Sequence, residues 1–164
     1  MKAREIMTPN PACCTPETPA RDVALQMDAW DCGCIPVVSD NGSRRLLGVV
    51  TDRDLAVRGL ARGGDGETLV RDLMSREVSC CTPETDAKEV ERIMAERQVR
   101  RVPVVDDDGC CTGMIAQADL ARFTEQRALR EKELAHVVEA VSQHNADSRA
   151  DAEIGVIRGV ARDM

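Results

Sequence analysis

The sequence predicts an α/β fold of the α+β type, made of two similar β-α-β-β-α units in tandem. The first observation is an internal duplication, because residues 4–42 align without a gap on residues 71–109 with 16 of 39 positions identical. The second is that both copies show the same order of short apolar strands and amphipathic helices. A period of about 67 residues is too long for a solenoid, so it indicates two small subdomains.

Each copy opens with a short extended piece, 12–15 or 78–82, and a helix follows. Thr18 and Thr85 are predicted to cap these helices, with Pro19 at the first helical position of the first copy. The apolar residues of both helices recur at helical spacing, which predicts one buried face in each copy. These residues are Val23, Met27 and Trp30 in the first copy and Val90, Ile93 and Met94 in the second.

A hairpin of two apolar strands follows each helix. The strands are predicted at 35–38 and 46–50 in the first copy and at 102–105 and 112–115 in the second. Their turns are Asp40-Asn41-Gly42 and Asp107-Asp108-Gly109, in which glycine suits a positive φ. The first hairpin is two residues longer, so that afterwards Gly48 aligns with Gly113 and Asp54 with Asp119.

The corner at which the strand 46–50 meets the next helix holds Thr51 and Asp54. A helix start presents backbone N–H groups to an anion, and a carboxylate one turn later can accept hydrogen bonds from two ribose hydroxyls. One corner could therefore hold both ends of a nucleoside monophosphate. The alternative interpretation is a helix cap, with Thr51 as the N-cap residue. The corner alone does not decide between them.

Composition and charge narrow the classes of function. A net charge of −7 argues against a nucleic-acid or anionic-membrane surface, and no run of 18 apolar residues predicts a membrane span. Aromatic residues are nearly absent, so the core is expected to be aliphatic. The first residues lack the apolar region of a secretory signal, which leads us to expect a cytoplasmic protein.

The eight cysteines occur as Cys-Cys and Cys-x-Cys rather than as separated C-x-x-C pairs. A zinc site normally needs such pairs, and adjacent residues of a strand point to opposite faces. We therefore expect small buried hydrophobic residues, no bound metal and no disulfide framework. Metal or redox chemistry is the alternative.

Taken together, these motifs resemble the CBS domain. The resemblance rests on Met-Thr-Pro at the start of the unit, the Pro-Val-Val strand and the Gly-x-x-Thr-x-x-Asp corner, and it covers about residues 3–122. Two such domains in tandem are similar to a CBS-domain pair, or Bateman module. The resemblance implies pseudo-twofold packing of the two units, two clefts between them, and dimers formed through the helices. It also implies an adenosyl ligand: AMP, ADP or ATP, with NAD and S-adenosylmethionine as further candidates.

The resemblance also assigns site residues. In one cleft the first repeat is expected to supply Asp54, which accepts hydrogen bonds from the ribose hydroxyls, and Thr51, which donates a hydrogen bond to the phosphate. The second repeat would supply the opposite wall, in which Arg100 or Arg101 binds phosphate; this wall consists of Val78, Ser79, Cys80, Arg100, Arg101, Val102 and Pro103.

The second cleft departs from this pattern. Asp119 is kept as a candidate ligand-binding residue, but Ala116 stands in place of the threonine. Gly33 and Cys34 stand in place of the two arginines. A phosphate in this cleft would lack compensating charge.

The preferred interpretation is a non-catalytic, ligand-sensing regulatory module with no obligatory cofactor, which acts on an unidentified partner protein. A constitutive dimerisation or protein-interaction module with degenerate ligand sites is the alternative. We expect a homodimer, because the helices that carry Val23, Met27, Val90 and Met94, together with the long helix after Asp119, suggest more apolar surface than one unit needs. The predicted domains are repeat 1 at 1–64, repeat 2 at 65–122, and a helical extension with a partly disordered tail at 123–164.

Overall fold

The computed structural model of the chain describes residues 1–125. Residues Met1–Ala121 form one compact unit, and Arg122–Met164 are assigned to a second. Most of the predicted C-terminal extension therefore lies outside the described residues. In the part that is described, no helix is long and apolar enough to cross a lipid bilayer.

The first half of the chain contains three strands and two helices. A 3₁₀ turn, Ala3–Glu5, and the two-residue strand β1, Thr8–Pro9, precede helix α1, Ala20–Ala29. Strands β2, Cys34–Val38, and β3, Leu46–Thr51, pair antiparallel. The chain then turns into the helix α2, Asp52–Asp54, which continues as a π-helical turn, Leu55–Gly59, and a 3₁₀ turn, Leu60–Arg62.

The second half repeats this order. A short helix α3, Val70–Leu73, is followed by helix α4, Ala87–Arg97, and by the antiparallel strands β4, Arg101–Val105, and β5, Cys111–Ala116. Residues 117–125 are helical and form α5. The strand order is β1-β5-β4 in one sheet and β2-β3 in the other. This mixed fold with two small sheets confirms the predicted class and the predicted hairpins.

Pairs of equivalent contacts show the pseudo-twofold relation between the repeats. Cys14 forms a parallel bridge with Val37, and Cys81 forms the same bridge with Val104. The extended pieces predicted before each helix therefore lie beside β2 and β4. Close to the pseudo-twofold axis the two hairpins meet through a bridge between Arg45 and Cys110.

The two repeats exchange the segments that precede them. The first residues of the chain lie on repeat 2, where Ala3 N donates to Thr85 O at 2.8 Å. The equivalent residues before α4 lie on repeat 1, where Ala20 N donates to Thr68 O at 2.8 Å and Val70 N donates to Thr18 O at 3.0 Å. The boundary predicted between residues 64 and 65 thus separates the two copies in the sequence. It does not separate two packing units, because each copy packs against a segment of the other.

Each core is completed by the exchanged segment. The first cluster joins Val70, Leu73 and Met74 to apolar residues of α1, β2 and β3. The second joins Ala3 to residues of α4, β4 and β5. Burial of Val70, Leu73 and Met74 stabilises the first core by roughly 1.5–3 kcal/mol for each side chain. In the second core the exchanged segment contributes the buried Ala3 and the partly buried Ile6 and Met7.

Burial corrects the proposed dimer surface. Val23, Met27, Val90 and Met94 are all buried in the two cores, because the two helices turn these residues toward their own sheets. Trp30 was predicted on the same buried face but is 68% exposed. It is the residue that follows the last turn of α1, where the helical periodicity ends.

Two local predictions shift by one or two residues. The N-cap residues are Pro19 and Asp86 rather than Thr18 and Thr85. The threonine hydroxyls instead accept from the backbone N–H of Thr15 and Thr82. In the hairpin turns, Gly109 has the predicted positive φ of 78°, whereas the first, longer turn places Arg44 at a φ of 54°.

Gly48 lies where β3 passes the segment after α3. A Cβ added at Gly48 would come within 2.4 Å of both Ser75 O and Met74 Cε. Val49 and Ser75 exchange two backbone hydrogen bonds at 3.0 and 2.9 Å, which hold this close approach. The equivalent Gly113 faces a side chain, since its Cβ would meet Met7 Sδ at 2.3 Å.

We predict that Gly48→Ala destabilises the protein by about 1–3 kcal/mol, because the clash is with a backbone carbonyl. Urea unfolding followed by circular dichroism measures this. Gly113→Ala is the matched comparison and is expected to cost less, since a methionine side chain can rotate away. Equal unfolding midpoints for Gly48→Ala and the unchanged protein would contradict the contact.

Candidate functional site

The corner between β3 and α2 forms a reciprocal cap. Thr51 N and Thr51 Oγ1 donate to Asp54 Oδ2 at 3.0 and 2.8 Å, and Asp54 N donates to Thr51 Oγ1 at 3.1 Å. The cap interpretation of the sequence is thus realised in the structure. It does not exclude a ligand, because both residues also line a cleft. The cap fixes the direction of the carboxylate.

Arg58 holds the other oxygen of this carboxylate. Its Nε lies 3.4 Å from Asp54 Oδ1, and its Nη1 donates to Leu73 O at 2.9 Å and to Ser75 Oγ at 3.1 Å. The guanidinium of Arg58 thus contacts both Asp54 and the segment of repeat 2 that packs on repeat 1. Because these contacts hold the guanidinium in place, Arg58 positions Asp54.

A cleft of about 620 Å³ lies beside this corner. That volume is within the usual range for small-molecule sites, about 300–1,000 Å³. Its walls come from β3, from the segment after α3, and from the end of α4 with the start of β4. The lining residues are Val49, Thr51, Asp54, Ser75, Glu77, Val78, Ser79, Arg97, Val99 and Arg101.

Five residues that the sequence assigned to this site lie together in the cleft: Thr51, Asp54, Val78, Ser79 and Arg101. Cys80 lines a separate recess of about 200 Å³ instead. The Arg100 side chain is exposed and does not line the cleft.

Two further candidates lie in β4. Val102 belongs to the core of repeat 2 and is fully buried, so it does not line the cleft. Pro103 is likewise buried.

Five lining residues were missed: Val49, Ser75, Glu77, Arg97 and Val99. Their position in the sequence could have indicated Ser75 and Glu77, since they lie within three residues before the predicted wall at Val78. Arg97 lies at the last turn of α4, and a helix end followed by a strand places its side chain near the strand start. Nothing in the local sequence distinguishes it from other surface arginines.

The cleft is lined by two cationic and two anionic side chains. Arg97 and Arg101 supply two cations, and Asp54 and Glu77 supply two carboxylates. The Arg101 side chain extends toward repeat 1, since its Nη2 is 3.4 Å from the Cβ position of Gly33. The cleft therefore offers both a hydroxyl-accepting carboxylate and phosphate-binding guanidinium groups.

The equivalent corner in repeat 2 has lost its hydroxyl. Ala116 N still donates to Asp119 Oδ2, at 2.8 Å, but the alanine has no Oγ1 to complete the cap. Trp30 stands in repeat 1 where Arg97 stands in repeat 2. Burial raises the pKa of the Cys34 thiol to about 12, and the nearby Arg101 only partly opposes this. Cys34 is thus a neutral thiol in place of an arginine.

The cysteines differ in burial within each pair. Cys14, Cys34, Cys81 and Cys111 are buried hydrophobic residues, as expected, but their neighbours Cys13, Cys32 and Cys110 are half-buried and Cys80 is exposed. Among the described residues, no group of three or more His, Cys, Asp or Glu side chains could hold a metal ion.

The chain is similar in sequence to known proteins. The CBS-domain family model matches residues 3–59 and 70–125. The CBS domain-containing protein YhcV of Bacillus subtilis is 36% identical over 118 residues, which cover 72% of this chain and 81% of that protein. Hypoxic response protein 1 of Mycobacterium tuberculosis is 32% identical over 128 residues, covering 77% and 87%.

Two solved structures are similar to the chain. The crystal structure of Hypoxic Response Protein I, with two coordinated zinc ions, has a TM-score of 0.68 at 32% identity and covers 74% of this chain and 98% of that one. The structure of CBSX2 in complex with AMP has a TM-score of 0.67 at 26% identity and covers 77% and 98%.

Proposed function

The chain belongs to the CBS-domain family and carries two copies of the domain, and from this premise we propose that it is a regulatory module that binds an adenosyl ligand in the cleft lined by Thr51 and Asp54. The observation that carries the proposal is the joint placement of Asp54, Thr51, Arg97 and Arg101 in one cleft. AMP in the related CBSX2 structure supports the ligand class.

The cleft contains groups suited to each part of an adenine nucleotide. Asp54 is an anionic acceptor for the two ribose hydroxyls. Arg101 and Arg97 can donate charge-assisted hydrogen bonds to phosphate. Val78 and Val99 provide apolar surface for the base. Glu77 adds a second carboxylate, which disfavours ligands with several phosphates and favours AMP among the adenine nucleotides.

We propose no catalytic role for this corner. Thr51 is occupied in the cap, and Arg58 holds Asp54 by a contact of 3.4 Å. Ligand binding would instead change the contacts between the repeats, because the cleft is lined from both. A partner protein could then respond to that change.

We predict that Asp54→Ala abolishes most AMP binding, whereas Asp119→Ala changes it little. Loss of charge-assisted hydrogen bonds costs on the order of 1.5–3 kcal/mol, which is about tenfold or more in affinity. Isothermal titration calorimetry measures both variants. Asp54→Asn is the control for folding, because its amide oxygen can still accept from Thr51. Equal weakening by Asp54→Ala and Asp119→Ala would show that the clefts are assigned wrongly.

A second prediction separates phosphate from ribose recognition. Arg101→Ala should weaken AMP by roughly tenfold and adenosine much less, because the guanidinium acts on the phosphate. Arg100→Ala is the matched control, since its side chain is exposed and lies outside the cleft. If Arg100→Ala weakens AMP as much as Arg101→Ala, the phosphate does not lie where we propose. If no adenosyl compound binds at all, the alternative of a constitutive interaction module gains support.

We also propose that the chain forms a homodimer, through apolar residues other than those the sequence suggested. Leu25, Trp30 and Leu60 are 61%, 68% and 70% exposed, and an interface that covers them would remove this apolar surface from water. Light scattering at tens of micromolar protein should give twice the monomer mass, and Leu60→Asp should shift it to the monomer. Asn41→Asp, in an exposed turn, controls for the added charge. A monomeric unchanged protein would contradict the proposal.

A further inference from the structure

A pair of thiols and a guanidinium meet where the start of repeat 1 passes repeat 2. Arg44 Nη2 donates to Cys13 Sγ at 3.2 Å and to Pro11 O at 2.9 Å. Arg44 Nε donates to Cys111 O at 3.2 Å, and Arg44 O accepts from Cys111 N at 2.8 Å. One arginine thus joins the segment of Cys13 to the strand of Cys111.

The two thiols of this cluster differ in protonation. A polar contact with the Cys111 thiol, which also donates to Gly113 O at 3.7 Å, acts together with the charge and hydrogen bond of Arg44; they outweigh partial burial and lower the pKa of Cys13 to about 7. The same contact and burial raise the pKa of Cys111. A substantial fraction of Cys13 is therefore thiolate near neutral pH, whereas Cys111 stays protonated. Thiolates beside a cation and partly open to solvent are the reactive form of cysteine.

We propose that Cys13 and Cys111 form a reversible redox pair that responds to hydroperoxides, with Cys13 as the peroxide-reactive thiol and Cys111 as the resolving thiol. The assignment does not depend on nucleotide binding. It rests on the side-chain contacts of Arg44 with both segments and on the half-buried position of Cys13 beside the buried Cys111.

The chemistry balances with hydrogen peroxide as the oxidant. The Cys13 thiolate attacks one peroxide oxygen, the O–O bond breaks, and hydroxide leaves; Cys13 becomes a sulfenic acid as the peroxide is reduced. The sulfur of Cys111 then attacks Cys13 sulfur, the S–O bond breaks, and water leaves with the proton of Cys111. The disulfide joins the two repeats, and a thiol reductant reverses the reaction.

The duplication provides an internal comparison. Cys80 is the counterpart of Cys13. In the two hairpins Leu46 N donates to Gly109 O as Cys111 N donates to Arg44 O, so in the structure Gly109 stands in place of Arg44 and Leu46 in place of Cys111. Leu46, Gly109 and Cys80 line the same small recess, as the pseudo-twofold relation requires. Cys80 is also more exposed than Cys13. If accessibility alone decided reactivity, Cys80 would react first; if the cluster decides it, Cys13 would.

The experiment treats the reduced full chain with equimolar hydrogen peroxide, alkylates the remaining thiols, and identifies tryptic peptides by mass spectrometry. We expect a disulfide between peptides 5–21 and 102–122, the first of which contains Cys13 and Cys14 and the second Cys110 and Cys111. Cys13→Ser should abolish it, whereas Cys14→Ser and Cys110→Ser should not. In Cys111→Ser, Cys13 should persist as a sulfenic acid that dimedone traps.

Arg44→Asn tests the guanidinium, because asparagine tolerates the positive φ of 54° at this position. It should slow oxidation of Cys13 by about threefold, since a lower thiolate fraction is partly offset by higher nucleophilicity. A thermal melt of each variant checks that it is folded. Oxidation of Cys80 as fast as Cys13, or disulfides that exclude Cys13, would overturn the proposal.

Discussion

The exchange of short segments between the two repeats is the constraint on which the rest of the structure depends. Ala3 completes the core of repeat 2, and Val70 and Leu73 complete the core of repeat 1. Neither repeat can bury its own sheet fully without chain from the other. The two repeats are therefore held in one arrangement by hydrophobic burial, and the clefts between them inherit that arrangement.

The cleft beside Thr51 and Asp54 shows how this constraint reaches the site. The segment that leaves α3 runs along β3, where Gly48 permits the approach of Ser75. It continues directly into the wall at Val78 and Ser79. Arg58 contacts both this segment and Asp54, so the carboxylate is oriented by the same contact that joins the repeats. A side chain introduced at Gly48 would therefore displace the segment that Arg58 contacts and change the orientation of the Asp54 carboxylate.

Features fixed by local pattern or by duplication could be predicted from the sequence. The four main strands, the two long helices and the corner at Thr51 and Asp54 all follow from apolar periodicity and the 16 identities. The exchange of segments could not be predicted, because the three-residue 3₁₀ turn that contains Ala3 and the four-residue helix α3 are too short to give a periodic signal. The same holds for the contact of Arg44 with Cys13, which depends on a two-residue difference between the hairpins and on packing across the repeats. Arg97 was missed because its role depends on where α4 ends rather than on its neighbours in sequence.

Co-crystallisation with AMP is the sharpest test of the proposed site, because it locates the ligand instead of inferring its place from affinity. We predict one AMP per chain between the repeats, with the ribose hydroxyls about 3 Å from the Asp54 carboxylate. Its phosphate is expected beside Arg101, with Arg58 still bound to Asp54. AMP bound only beside Asp119, or with its ribose away from Asp54, would contradict the account.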